Sequence, residues 1–267
     1  MPATEEPAAA RSAPAGPAAG PTPVHGYLRY LDAVAQFLRA ARDQQQAVSE
    51  AADVIAEAIA ADRRVRVFGA SHAGLLAQDL MYRAGGLAPI DAVLPAPLML
   101  DVRPVTDTSV VERTPGLGRD LFTALDLAPG DVVLLISVSG RNPVVVEAAE
   151  VARERGAFVV ALTSLTYSRS VAARGPARLF ERADLVIDLP GAVGDACVPV
   201  GAGDLLAGPT SSAVGAAILH GLCVEVATRL AARGIDPPVY RSANLDGSEQ
   251  ANQRLVERYR GRVNYLG

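Results

Sequence analysis

Hydroxyl side chains follow three predicted β-strands, at the point where each strand gives way to a turn. Ser71 comes just after the apolar segment that ends at Gly69, Ser137 and Ser139 lie at the end of a longer apolar run, and Thr163 ends a further one. The carboxyl ends of parallel strands meet at one edge of a sheet, which is where α/β proteins bind their ligands. Hydroxyl donors gathered there, with no carboxylate cluster among them, indicate a site for an anion, most often a phosphate.

The segment 131–143 is the one around which the other elements are organised. Its apolar run predicts a strand covered on both faces of a parallel sheet. Pro143 suits the first turn of a following helix, with Asn142 as its cap. Turn formation and capping would need only one such polar residue, whereas Ser137, Ser139 and Asn142 are all present. We therefore predict that these three side chains contact a phosphate at the helix N-terminus.

Strands and helices alternate along the chain. We predict strands at 64–70, 90–94, 131–137, 157–163 and 183–189, and helices at 26–61 (one or two), 73–85, 117–125, from 143 past 151, from 210–212 to 234 and from 246 or 248 to 259. Segment 98–101 is another short apolar piece, 106–118 is expected to be irregular, and 165–179 a loop with short helical pieces. This alternation predicts an open parallel α/β sheet with right-handed crossovers.

Four regions follow from composition and pattern. They are a disordered Ala/Pro-rich tail at 1–23, a helical lead-in at 24–62, a phosphate-binding α/β domain at 63–235 and a C-terminal extension at 236–267. The glycine-rich stretch 191–209 is expected to be a long connection, and its Asp195 and Asp204 are candidates because long loops are often functional. Asn244 and Asp246 in the extension are candidates to reach a site in the same or a partner subunit.

Composition excludes several classes of function. The formal charge is −4 and all basic residues are arginine, so no lysine is present to form a Schiff base or a Walker-type phosphate site. The charge gives no electrostatic case for nucleic acid. No run of about 18 apolar residues predicts a membrane span, and the N-terminus does not resemble a secretion signal. A cytoplasmic protein without a membrane or nucleic-acid partner is expected.

The turn at 69–74 contains glycines between a strand and a helix. It is not the G-x-G-x-x-G fingerprint, because Ala70 and Ser71 leave no second glycine in the required place. A dinucleotide site of the Rossmann type is therefore not predicted.

The motif Ser137-Val138-Ser139-Gly140-Arg141-Asn142 resembles the S-x-S-G-x-[ST/N] turn of sugar isomerase (SIS) domains, which bind phosphosugars. The Gly-x-Ser turn and the strand end 161–163 match that pattern in place and order, and the resemblance covers about residues 45–235. Segments 81–87, 208–211 and 242–247 resemble a bacterial branch of the family similar to phosphoheptose isomerases.

The resemblance implies a three-layer, flavodoxin-like, five-stranded parallel sheet. It also implies a homodimer or tetramer with sites near the subunit interface, and a sugar phosphate as the small-molecule partner. The residues that it implies for holding phosphate or sugar hydroxyls are Ser71, Ser137, Ser139, Asn142 and Thr163.

In SIS isomerases an aldose and a ketose interconvert through an enediol, which requires a base for the C2 proton. The candidates here are His72, His220 and Glu225. His72 could equally face solvent, His220 could be a core histidine, and Glu225 could be a salt-bridged helix residue. His220 and Glu225 are five residues apart and so do not share one helix face.

The zinc ligands of phosphoheptose isomerases correspond, apart from the histidine aligned with His220, to Ala77, Met81 and Ser212. No cofactor or metal is therefore predicted, although zinc is left open.

Two other functions are compatible with the same motif. One is a non-catalytic phosphosugar sensor, although the short, non-basic lead-in does not favour a DNA-binding regulator. The other is a sugar-phosphate lyase, such as a relative of muramic-acid 6-phosphate etherase.

Overall fold

The central sheet of the computed structural model, which describes residues 25–201 and 203–267, consists of five parallel strands. Their order is β2-β1-β3-β4-β5, which is the flavodoxin-like order. The bounds are β1 Val65–Gly69, β2 Ile90–Val93, β3 Val132–Ile136, β4 Phe158–Thr163 and β5 Leu185–Asp188. The predicted fold is confirmed. The predicted tail at 1–23 lies outside the described residues.

Helices cover both faces of the sheet. They are α1 Gly26–Ala40, α2 Gln45–Ala60, α3 His72–Asp79, α4 Asp107–Val111, α5 Leu117–Thr123, α6 Pro143–Glu154, α7 Leu165–Ser170, α8 Ser211–Ala232 and α9 Ser248–Tyr259. Alternate residues of β3 face opposite layers, as a two-residue repeat requires. Leu134 and Ile136 pack with α2, α3 and α8, whereas Val133 and Leu135 pack with α5 and α6.

Helix α3 ends at Asp79, so the prediction that it continues to residue 85 is wrong. Tyr82 and Gly85 have positive φ, and the N–H of Gly85 donates to the carbonyl of Tyr240 at 2.8 Å. The N–H of Tyr240 returns a hydrogen bond to Gly86 at 3.0 Å. Pairing with the C-terminal extension therefore replaces the last turns of the helix.

The stretch 191–209 is more ordered than predicted. It contains two antiparallel strands, β6 Ala196–Pro199 and β7 Leu206–Pro209. The hydroxyl of Tyr30 on α1 donates to the carbonyl of Pro209 at 2.7 Å, and the Tyr30 ring lies against Gly208 where a Cβ would stand 2.6 Å away. These contacts with α1 hold β6 and β7 in place. The two strands contain Pro and Gly residues, which give only a weak strand pattern in the sequence.

Segment 96–98 is a single 3-10 turn. The segment predicted to be irregular, 106–118, contains α4 and the start of α5.

Among the described helices, α8 is the one whose length and apolar composition would be sufficient to cross a bilayer. Its buried side chains, among them Val214, Leu219 and Leu222, pack in the core against the sheet. The apolar sequence of α8 is accounted for by this packing.

Candidate anion-binding site

The three hydroxyl-bearing strand ends meet at one rim of the sheet. Gly69 pairs in register with Ile136, and Ile136 pairs with Leu162. Beyond the strands, the N–H of Ser137 donates to the Leu162 carbonyl at 3.1 Å. Ser71 and the turn 137–142 therefore follow adjacent strands, as predicted from the parallel arrangement.

The turn 137–142 is fixed by contacts of its carbonyl groups. The carbonyl of Gly140 accepts from Leu179 N–H at 2.8 Å, and that of Arg141 accepts from Arg174 N–H at 3.1 Å. Gly140 has φ +58°, and a Cβ at this position would stand 2.9 Å from Thr163 Oγ1. The turn thus requires glycine for its backbone angle and for close packing.

Five consecutive backbone N–H groups of this turn, those of residues 138–142, have no acceptor among the described residues. The last four belong to Ser139, Gly140, Arg141 and Asn142. These donors precede α6, whose N-terminus adds the positive end of a helix dipole. Successive free N–H groups are the donors from which anion-binding nests are built, and we call residues 139–142 the nest.

Ser71 lies beside the nest with a strained backbone. Its φ is +53°, which is rare for a residue other than glycine, and its N–H donates to the Leu98 carbonyl at 2.8 Å. Its Oγ is buried and has no hydrogen-bond partner among the described residues. A strained residue with an unsatisfied hydroxyl at a strand end is typical of a ligand site.

Thr163 and Asn142 have contacts that differ from the prediction. Thr163 is fully buried, and its hydroxyl donates to the Val138 carbonyl at 3.2 Å, so it supports the turn from below. Asn142 occupies the predicted N-cap position of α6, but its side chain makes no capping hydrogen bond. Its Oδ1 instead accepts a hydrogen bond from the Arg174 guanidinium.

A group of charged side chains beside Asn142 is not predicted by the sequence. It consists of Glu112 and Arg113, which follow α4, Arg141 in the turn, and Arg174 in the 171–178 loop. Burial raises the pKa of the Glu112 carboxyl, while Arg113, Arg174, Asn142 and His72 act to lower it. Burial, followed by repulsion from Arg113 and Arg141, lowers the pKa of Arg174.

No sequence signal could have placed this group, because segment 106–118 lacks a helical or alternating pattern. Its position depends on α4 and on contact of the 174–179 segment with the turn.

The three candidate catalytic residues do not lie together in one chain. His72 is exposed at the start of α3 and is close enough to Glu112 to affect its pKa. His220 Nε2 lies 2.8 Å from Asp79 Oδ2, on the outer side of α3 and α8. Glu225 forms an ion pair with Arg229 instead. Of the three, His72 is the one that follows a strand end at the rim, and the catalytic roles stay predictions.

Asp195 forms hydrogen bonds with the N-terminus of α8. Its carboxylate accepts from the N–H of Ser211 at 2.7 Å and of Thr210 at 2.9 Å, and from Ser211 Oγ at 2.8 Å. Asp195 thus caps α8. The other loop and tail candidates, Asp204, Asn244 and Asp246, are exposed and make no described contact with the rim.

The positions that correspond to zinc ligands do not fit a zinc ion. Ala77 is fully buried and has no ligand atom, and Met81 and Ser212 supply no carboxylate, imidazole or thiolate. Within residues 25–201 and 203–267, no three His, Cys, Asp or Glu side chains are grouped to hold a metal.

The sheet order and the hydroxyl turn after β3 together define a SIS domain. The sequence model of the SIS domain matches residues 29–164, and the chain belongs to the SIS-domain family.

Within this family, the chain is similar to UPF0309 proteins. It is 40% identical to the UPF0309 protein of Shouchella clausii over 241 residues, which are 89% of this chain and 98% of that protein. It is 43% identical to that of Brucella canis over 239 residues, again 89% and 98% of the two chains.

Two solved structures support the fold. A phosphoheptose isomerase from Francisella tularensis superposes with a TM-score of 0.51 at 18% identity, covering 76% of this chain and 96% of that one. The sugar isomerase domain of the RpiR transcription factor from Sphaerobacter thermophilus gives a TM-score of 0.50 at 19% identity, with coverage of 87% and 96%. At these identities the likeness concerns the fold alone.

Proposed function

We propose that this protein binds a sugar phosphate at the rim of the sheet and interconverts an aldose and a ketose phosphate. The observation that carries the proposal is the nest of four free N–H groups at the N-terminus of α6. The hydroxyls of Ser71, Ser137 and Ser139 adjoin the nest and supply further donors to phosphate or sugar oxygens. Membership of the SIS-domain family, and the phosphoheptose isomerase among its structural neighbours, support the same ligand class.

The isomerisation needs a proton acceptor near C2 of the sugar and a donor near the carbonyl oxygen. In one chain, His72 is the predicted catalytic residue that follows a strand end at the rim. His220 and Glu225 would act only if a second subunit brought them to this rim, so their roles depend on the homodimer or tetramer that we propose. We further propose a cytoplasmic protein with no nucleic-acid or membrane partner and no metal requirement.

A non-catalytic sensor of phosphosugars is the second candidate. The observation that favours it is that both residues already have partners within the chain: His220 Nε2 lies 2.8 Å from Asp79 Oδ2, and Glu225 forms an ion pair with Arg229. A sensor would bind the same ligand in the nest without converting it. Turnover of the bound sugar phosphate separates the two functions.

Thermal unfolding in the presence of hexose, heptose, amino-sugar and N-acetyl-sugar phosphates tests the proposal. A bound ligand at a hundredfold excess over its Kd stabilises the protein by about 2.7 kcal/mol. We expect one sugar class to raise the midpoint, Ser139→Ala to abolish that shift, and Ser109→Ala, on the exposed surface of α4, to retain it. The absence of any shift across the panel would contradict the proposed function.

A further inference from the structure

We propose that segment 174–179, which we call the clamp, positions the anion site by holding the peptide groups of the nest so that their N–H groups face the ligand. The inference deepens the proposed function and rests on it, because it assumes that the nest is the phosphate site. Arg174 and Leu179 are positioning residues in this role, since they act through the backbone of the turn.

The clamp contacts the nest through two backbone hydrogen bonds. The N–H of Leu179 donates to the Gly140 carbonyl at 2.8 Å, and the N–H of Arg174 donates to the next carbonyl, that of Arg141, at 3.1 Å. These carbonyls share their peptide groups with the N–H groups of Arg141 and Asn142. In a planar trans peptide the C=O and N–H bonds point in opposite directions. The N–H groups of Arg141 and Asn142 are therefore directed away from the clamp.

The first N–H group of the nest is directed in the same way by the end of β4. The carbonyl of Val138 accepts from Ser164 N–H at 3.0 Å and from the Thr163 hydroxyl at 3.2 Å. The N–H of Ser139 shares this peptide group and so points away from β4. On the opposite side of β3 lies β1, which is followed by Ser71 with its buried, unpartnered Oγ. We infer that the anion lies on this side of the turn.

The two ends of the clamp are held differently. Leu179 is fully buried in the core below the turn, so packing fixes its position. Arg174 is exposed, and among the described residues its N–H and its guanidinium both donate to residues of the nest, the guanidinium to Asn142 Oδ1. The position of the Arg174 end therefore depends on the nest itself.

Binding of an anion and closure of the clamp should support each other. Linked hydrogen bonds polarise one another, so a carbonyl that accepts a hydrogen bond makes the N–H of its own peptide group a stronger donor. An anion held by the N–H groups of Arg141 and Asn142 strengthens the bonds from Leu179 and Arg174 in return. Such coupling is reciprocal, because the factor by which the closed clamp raises anion affinity equals the factor by which the anion favours closure.

Amide hydrogen exchange in the presence of inorganic phosphate tests this coupling without a known sugar. We expect saturating phosphate to slow exchange of the Arg174 N–H by about 5-fold or more, which is the lower range of coupling between two sites. The N–H of Arg260, which donates to Val256 in the C-terminal extension, is the reference and should exchange at an unchanged rate. NMR follows both amides in the unaltered chain.

Three substitutions separate the backbone hydrogen bond from the charge. Arg174→Gln removes the guanidinium and keeps the N–H, whereas Arg174→Pro removes both. Ala172→Pro is the control, because Ala172 is exposed just outside the clamp and its N–H has no described acceptor. The preceding Val171 has φ −122° and ψ 150°, which a following proline allows. We expect Arg174→Pro to bind phosphate about 5-fold or more weakly than Arg174→Gln, and Ala172→Pro to bind like the unaltered chain.

The possible results separate the two proposals. If phosphate shifts the amide signals of the nest but leaves exchange at Arg174 unchanged, or slows it no more than at Arg260, the positioning role is overturned and the anion site stands. Equal affinities of Arg174→Pro and Arg174→Gln would also overturn it. Failure of phosphate to bind overturns both proposals. The exchange measurement uses no variant, so it decides the matter even if Arg174→Pro does not fold.

Discussion

The Arg174 guanidinium donates a hydrogen bond to Asn142 Oδ1, although the two residues are 32 positions apart in the chain. This contact orients the amide beside the nest and brings a positive charge to the N-terminus of α6. The Asn142 side chain makes no capping hydrogen bond to α6 and is directed to Arg174 instead.

Replacing Arg174 should weaken anion binding. We expect Arg174→Gln to raise the Kd for sulfate or for a sugar phosphate by about 10-fold or more, because charge-assisted hydrogen bonds contribute roughly 1.5–3 kcal/mol. The salt dependence of binding should also decrease. Titration calorimetry at two salt concentrations measures both, with Arg155→Gln at the exposed far end of α6 as the control. Equal affinities of Arg174→Gln and the unaltered chain would show that Arg174 does not contact the anion.

Gly140 should tolerate no side chain. In Gly140→Ala, the new Cβ would meet Thr163 Oγ1 at 2.9 Å and Ser168 Oγ at 3.2 Å, at a φ of +58°. Positive φ alone costs an alanine about 1–2 kcal/mol, and displacement of the turn should also remove anion binding.

Gly221→Ala provides a matched comparison. It lies in α8 with nothing within 4 Å of the added Cβ, so it should stabilise the protein by about 0.5–1 kcal/mol. Urea unfolding measures both variants. A Gly140→Ala protein of unchanged stability and affinity would contradict the geometry of the turn.

Removing the side chain that caps α8 should lower the stability of the protein without lowering its activity. Asp195→Ala removes the acceptor for two N–H groups and two hydroxyls, and capping substitutions of this kind cost about 0.5–2 kcal/mol. The positive φ of Asp195 should add to this cost. Chemical denaturation is the measurement, and Asp204→Ala on the exposed part of the same stretch should have no effect. An equal unfolding midpoint for both variants would argue against the cap.

Arg66 and Asp91 form an ion pair that is almost completely buried in the sheet, with Arg66 Nε 3.4 Å from Asp91 Oδ2. Removing one partner from a buried pair costs about 3–5 kcal/mol, because the other charge is left uncompensated. We expect Asp91→Asn to be strongly destabilised, whereas Glu154→Gln, which breaks the solvent-exposed pair with Arg119, should leave the unfolding midpoint nearly unchanged. Similar losses in the two variants, measured by thermal unfolding, would contradict this expectation.

The buried strands could be predicted because they depend on local sequence. The apolar run of β3 and the hydroxyls after it identify both the strand and the turn, and the register between strands brings Ser71 to the same rim. Ser71, Ser137, Ser139 and Asn142 accordingly lie at one rim of the sheet, and their contact with a phosphate stays a prediction.

The features that sequence could not predict depend on contacts between distant segments. Helix α3 stops early because residues near Gly85 pair with Tyr240, and the β6–β7 hairpin is supported by Tyr30 of α1. Glu112 follows a five-residue helix with no periodic pattern, so nothing in its surroundings in the sequence indicates proximity to Asn142.

The most direct test of the account is the response of the backbone amides to a sugar phosphate or to inorganic phosphate. In an amide NMR titration, we predict that the N–H signals of Ser139, Gly140, Arg141 and Asn142 shift together with one binding constant. The same titration of Ser139→Ala should show weaker binding at the same amides. Saturable shifts confined to another part of the chain, with these four signals unmoved, would contradict the assignment of the phosphate site.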